Sequence, residues 1–206
     1  MNKKCLLDYG NKLNDSLKTI DESLVHELKD EISKRMNGES EIFLLGNGGS
    51  AANAHHISGD YLKTFTMIGK CLKITCLSDN GCFITAAAND LDYSEVYEVL
   101  INSRVKKNDL VIFLSGSGNS MNLVKSARAA KNTGMKTAAI VGYSGGALSE
   151  LVDIPIHVSV KDMEIAEDCQ MIIFHFLKQC LFDEVSIGDK EIMPKYTKRT
   201  SEGLIA

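Results

Sequence analysis

Apolar residues recur along the chain in two rhythms. Between residues 5 and 37 they come in steps of three and four, at Leu13, Leu17, Ile20, Leu24, Leu28 and Ile32. That is the spacing of one face of an α-helix. Gly38 is placed to stop such a helix, and Gly10 interrupts its first turns. The pattern predicts one or two helices ahead of the first strand, with an apolar face suited to oligomer packing. Beyond residue 40 the rhythm changes to short apolar runs rich in Val and Ile, at 41–46, 72–78, 109–115, 137–143 and 154–160. Helix-like segments separate them, at 82–88, 93–105, 120–134 and 146–152, and a long one follows at about 164–184. The runs do not alternate cleanly between apolar and polar, the mark of parallel strands covered on both faces. Strands and helices in alternation imply right-handed crossovers and an α/β, doubly wound sheet. The last stretch, 187–206, mixes charges with Pro194 and is expected to be irregular.

Composition narrows the class. The 206 residues suit one domain with a helical extension, and 44% hydrophobic content is ordinary for a globular chain. No run reaches the roughly 18 apolar residues of a membrane span. The N-terminal stretch lacks the apolar core of a secretory signal. The six cysteines show neither CxxC nor paired zinc-site spacing and read as reduced, which fits a cytoplasmic protein. A net charge of −4 argues against nucleic acid as the main ligand.

Ligands of doubly wound sheets bind beyond the carboxyl ends of the strands, and two of those ends are unusual. The first strand runs into Gly46-Asn47-Gly48-Gly49-Ser50, the third into Ser115-Gly116-Ser117-Gly118-Asn119-Ser120. Glycines let the backbone approach an anion, serines offer hydroxyls, and Ser120 opens a helix whose first N–H groups are unsatisfied. Either loop is equally readable as a βα turn with a capping serine. Neither is a dinucleotide fingerprint, because Ala51 and Met121 occupy the sixth position, and neither ends in Gly-Lys-Ser/Thr. A sugar phosphate fits them better.

The candidates for chemistry are carboxylates and imidazoles. His56 and Asp60 are i,i+4 on one helix face, with His55 turned about 100° away. Glu167 and His175 lie eight residues apart on the last helix, where both could edge one cleft. Taken alone, a histidine in an apolar helix is more often a core residue. As a set the four are zinc-type ligands and equally groups for acid–base proton transfer.

The segments "LLGNGGSAANAHHISGD", "AAANDLDY", "FLSGSGNSMNLVKSARAAKNTGMK", "IVGYSGGALSELVD" and "AEDCQMIIFHFL" resemble the phosphoheptose isomerases of the sugar-isomerase (SIS) domain superfamily. The resemblance extends to about residue 184. It implies a flavodoxin-like five-stranded parallel sheet, with an N-terminal helical extension at 1–37, an SIS domain at 38–186 and a C-terminal tail at 187–206. It implies a homotetramer with active sites between subunits, and conversion of sedoheptulose 7-phosphate to D-glycero-D-manno-heptose 7-phosphate, the first step towards nucleotide-activated heptoses. Phosphate would sit on Ser115, Gly116, Ser117 and Ser120, with Ser50 nearby. Asn47, Gly48, Gly49, Asn89, Asp90 and Glu167 would meet the substrate. His56, Asp60, Glu167 and His175 would hold a zinc ion, with Asp60, Glu167 and His175 catalytic. The chain also departs from the family. Asp60 stands where the family has Glu, Glu167 where it has Gln, Gly116 where it has Thr, and Thr64 where it has Arg. Asp is shorter than Glu by about 1.5 Å, and misplacement on the order of 1 Å can cost about 100-fold in rate. Two other readings follow: an SIS isomerase or epimerase acting on another sugar phosphate, and a non-catalytic replication-initiator-associating SIS protein.

Overall fold

The computed structural model describes residues 5–186; the expected tail at 187–206 lies outside them. Two helices come first, α1 (Leu6–Leu17) and α2 (Glu22–Ser33), split by a turn in which the Asp21 carboxylate accepts from the Ser23 N–H and caps α2. Gly10 is accommodated inside α1. Then follow β1 (Ile42–Gly46), α3 (Gly48–Met67), β2 (Ile74–Cys76), α4 (Gly81–Asp90) and α5 (Val96–Arg104). The second half is β3 (Leu110–Ser115), α6 (Met121–Asn132), β4 (Lys136–Val141), α7 (Gly146–Leu151), β5 (Ile154–His157) and α8 (Met163–Ser186).

All five strands are parallel, in the order β2-β1-β3-β4-β5. This is the flavodoxin-like order, and its switch point falls between β1 and β3. The unbroken apolar runs now have their cause. Along β3, Leu110, Ile112 and Leu114 enter one core while Val111 and Phe113 enter the other. Successive side chains of a strand point to opposite faces, so a sheet covered twice needs apolar residues at every position. The first core lies under α1, α2, α3 and α8; the second lies under α5, α6 and α7. α4 has no buried residue and only leans on the second layer. The strands are shorter than the apolar runs at several ends. Val158 and Val160, for example, pack in the first core beyond the end of β5.

Candidate active site

The two glycine–serine loops emerge side by side. Gly46 pairs with Leu114 across β1 and β3, and β3 runs one residue further to Ser115, so the two loops leave the sheet side by side at the switch point. β1 turns into α3 with almost no connection: Asn47 is extended and Gly48, at φ +53°, already opens the helix. A Cβ on Gly46 would lie 2.6 Å from the Ser50 carbonyl carbon, so only glycine lets the strand end this close to the helix. In the second loop the buried Ser115 Oγ accepts from the Gly118 N–H at 3.0 Å, and Ser117 Oγ accepts from the Asn119 N–H at 3.2 Å. Ser120 occupies the N-cap of α6, and its side chain makes no capping bond. A third loop buttresses the second: the Leu148 N–H donates to the Gly118 carbonyl at 3.0 Å, and the Ala147 N–H to Asn119 Oδ1 at 3.0 Å.

Asn47 and Asn122 exchange amide hydrogen bonds at 2.8 and 2.9 Å, and the Tyr93 hydroxyl donates to Asn47 Oδ1 at 2.9 Å. Asn47 therefore ties the loops together. Asn89 and Asp90 end α4, where the Asn89 amide donates to the Asp90 carboxylate at 2.9 Å; both are exposed.

α3 and α8 carry the ionisable groups, and their mutual register decides which meet. Ser50 Oγ donates to Glu167 Oε1 at 3.3 Å, Asn53 Nδ2 donates to Gln170 Oε1 at 3.0 Å, and the Lys178 ammonium donates to Asp60. The partner numbers rise together, so the helices run side by side in the same direction. His56 and His175 are neighbours in that register, with ring centroids 5.7 Å apart and planes at 82°. One ligand atom each from His56, Asp60 and His175 lies within 4.8 Å of the other two.

Glu167 does not join them. A helix rises 1.5 Å per residue, so the eight residues between Glu167 and His175 amount to about 12 Å. The same register sets Glu167 against the first turn of α3, where a Cβ on Gly49 would lie 2.6 Å from its carboxyl carbon. There it lies near the positive end of the helix dipole. Of the four donors expected from the sequence, His56, Asp60 and His175 come together among the described residues and Glu167 lies at the loops.

Burial pushes the Asp60 carboxyl up, but the hydrogen bond and charge of Lys178, with Lys63 and His56 adding, outweigh it and hold the group below its ordinary value. Asp60 is therefore an anion at neutral pH. One turn on, Thr64 is buried and its hydroxyl has no hydrogen-bond partner among the described residues. It borders a cavity of about 310 Å³ lined also by Lys178, Gln179, Phe182 and Asp183. Two imidazoles and one carboxylate suit a divalent ion with open coordination positions, so the donor set fits; Lys178 is the feature opposed to it.

Sequence reasoning missed Asn122, Tyr93, Gln170 and Lys178. Lys178 and Gln170 carried a local signal, being i,i+3 from His175 and from Glu167 on the same helix. The others depend on contacts between distant segments.

A parallel sheet in this strand order, with two anion-suited loops at its switch point and an acid–imidazole cluster along the adjoining helix, defines the phosphosugar-binding class of α/β proteins. The SIS domain model matches residues 8–142. A phosphoheptose isomerase of Helicobacter pylori (strain P12) is 32% identical over 170 residues, covering 81% of this chain and 88% of the relative. The chain belongs to the SIS domain family, and within it to the phosphoheptose isomerases. The phosphoheptose isomerase structure from Neisseria gonorrhoeae superposes with TM-score 0.77 at 20% identity, over 86% of this chain and 95% of that one. The one from Francisella tularensis gives 0.77 at 21% identity, over 86% and 98%. The flavodoxin-like fold expected from the sequence is the fold observed.

Proposed function

We propose that the protein is an aldose–ketose isomerase that converts sedoheptulose 7-phosphate to D-glycero-D-manno-heptose 7-phosphate through an enediolate. The observation that carries this reading is the joint presence of the two serine loops at the switch point and the His56/Asp60/His175 cluster further along α3 and α8. The helix also sets a length. From Ser50 to His56 and Asp60, α3 spans about 9–15 Å. An extended seven-carbon sugar with its phosphate reaches about 10 Å from phosphorus to C1, taking about 1.3 Å of advance per bond. That reach matches the span from Ser50 to His56, whereas a three-carbon substrate would fall short of it.

In this reading the phosphate rests on Ser117, Ser120, the α6 N-terminus and the Ser115 hydroxyl, with Ser50 close by. Asp60, kept ionised, removes the C1 proton of the ketose and the electrons move to the carbonyl oxygen O2. His175 carries the O1 proton to O2, and the proton returns at C2 to give the aldose. Glu167 and Asn47 bound the loop end of the cleft and orient hydroxyls. His56, Asp60 and His175 would hold zinc, which would supply electrophilic polarisation of the two oxygens. We further infer a cytoplasmic homotetramer with sites between subunits, making a precursor of nucleotide-activated heptoses. None of the helices among the described residues is long and apolar enough to cross a membrane.

Incubating the pure protein with sedoheptulose 7-phosphate and following the aldose by NMR tests the reading directly. Asp60→Ala and His175→Ala should each lower turnover by on the order of 10²–10⁴-fold. Undiminished turnover in both variants, or no aldose from the wild type, refutes it.

A further inference from the structure

Lys178 has no place in the chemistry above, yet it makes the closest contact to Asp60. It lies on α8 one turn beyond His175, and its ammonium donates to Asp60 Oδ2. Neither side chain is much exposed, at 18% for Lys178 and 16% for Asp60. A second ammonium, Lys63 at 3.9 Å from Asp60 Oδ1, is 53% exposed and therefore well screened. Lys178 is the cation committed to this carboxylate.

We propose that Lys178 is a tethered counter-ion of Asp60 that competes with a divalent ion for the carboxylate beside the imidazole pair. The inference rests on the His56/Asp60/His175 metal site proposed above. Three points support it. Asp60 has one carboxylate to offer, and an ammonium and a metal ion both draw on the same few lone-pair directions. An ammonium anchored one helical turn from His175 also keeps a positive charge within a few ångströms of any ion held by the three donors, at a site where partial burial weakens screening. The ammonium is furthermore present at fixed local concentration, because its helix is already packed against α3. The chain thus carries a built-in counter-charge for Asp60, and a divalent ion must displace it to take that oxygen.

The test is a titration of the metal-stripped full-length protein with Co²⁺, followed by its visible absorbance and then by displacement with Zn²⁺. Lys178→Met keeps the apolar stem and removes the charge; Lys178→Arg keeps the charge. The methionine variant should bind Co²⁺ tighter by on the order of 10–100-fold, the size, with the sign reversed, of the loss seen when a supporting partner of a metal ligand is removed. The arginine variant should stay near wild type, and Asp60→Asn should weaken binding in both the wild-type and Lys178→Met backgrounds. Lys178→Gln provides the same comparison if the methionine variant melts early. Equal or weaker Co²⁺ binding by the charge-removed variants, or binding indifferent to Asp60→Asn, overturns the proposal. No sugar enters the titration, so its outcome is separate from whether the protein isomerises a heptose phosphate.

Discussion

At the scale of single residues, the loops are held by glycines that admit no side chain. Gly118, at φ +66°, and Gly146, at φ +58°, face one another, and a Cβ on Gly146 would lie 2.6 Å from the Gly118 carbonyl oxygen. Both obstacles are backbone, so neither can rotate away. Gly118→Ala should cost about 3 kcal/mol or more, from strained φ and collision together. In a thermal melt it should fall well below Gly59→Ala, where a Cβ would meet nothing within 4 Å. A Gly118→Ala protein as stable as the Gly59→Ala control would show that the third loop does not brace the second. Much of this residue-scale logic was legible in advance. Gly-Ser clusters at strand ends and an i,i+4 His–Asp pair are local patterns, and local spacing survives folding. The amide pair of Asn47 and Asn122 was not legible, because 75 residues separate its partners.

At the scale of elements, strand–helix alternation was readable because each strand is buried on both faces and each helix follows its own period. The offset between helices was not. Spacing along α8 allowed Glu167 and His175 to edge one cleft, but the parallel register of α3 and α8 sends them to opposite ends of it. That register comes from tertiary packing, such as the buried Tyr61 hydroxyl donating to the Phe174 carbonyl at 2.7 Å. The N-terminal extension also behaves as part of the core layer. Val25, Leu28 and Ile32 of α2 are buried in the first core. Arg35, just past α2, donates to the Asn108 carbonyl at 3.1 Å and to the Glu31 carboxylate at 2.8 Å. Burial pushes the Glu31 carboxyl up, but hydrogen bonds from Lys34 and Arg35 bring it below its ordinary value. A carboxyl lowered by folding stabilises the native state above its unfolded pKa, and the gain is lost as pH falls through the folded value. Glu31→Gln should therefore be less stable than wild type at pH 7, by on the order of 1 kcal/mol. Urea titrations should show that gap closing as pH drops below about 4.3, the ordinary glutamate value. A gap that stays constant with pH would mean that the charge on Glu31 contributes nothing to docking α2.

At the scale of the whole molecule, the two helices that carry the acid–imidazole cluster also leave apolar side chains uncovered. Met67 of α3, seven residues on from Asp60 and so on its side of the helix, is 45% exposed, and Phe176 of α8, next to His175 in sequence, is 44% exposed and meets the His26 ring edge-on. Isolated apolar residues on a surface need no explanation, but these two flank exposed ionisable groups that a second chain would cover. His56 and His175 are exposed in the same region, so a site there is open to solvent on one side in a single chain. A catalytic centre gains electrostatic strength when water is excluded, and packing against a second copy would supply that exclusion. The proposed tetramer therefore links assembly to chemistry. Met67→Asp combined with Phe176→Asp places two charges in the contact and leaves the residues of the cluster unchanged. Light scattering after gel filtration should report a tetramer for the wild type and smaller species for the double variant. Isomerase activity should fall with the tetramer, and far-UV circular dichroism should hold because both side chains are surface-facing in the monomer. A wild type that is monomeric at micromolar concentration, or a double variant that dissociates with full activity, would show that each chain works alone and that the exposed face serves some other contact.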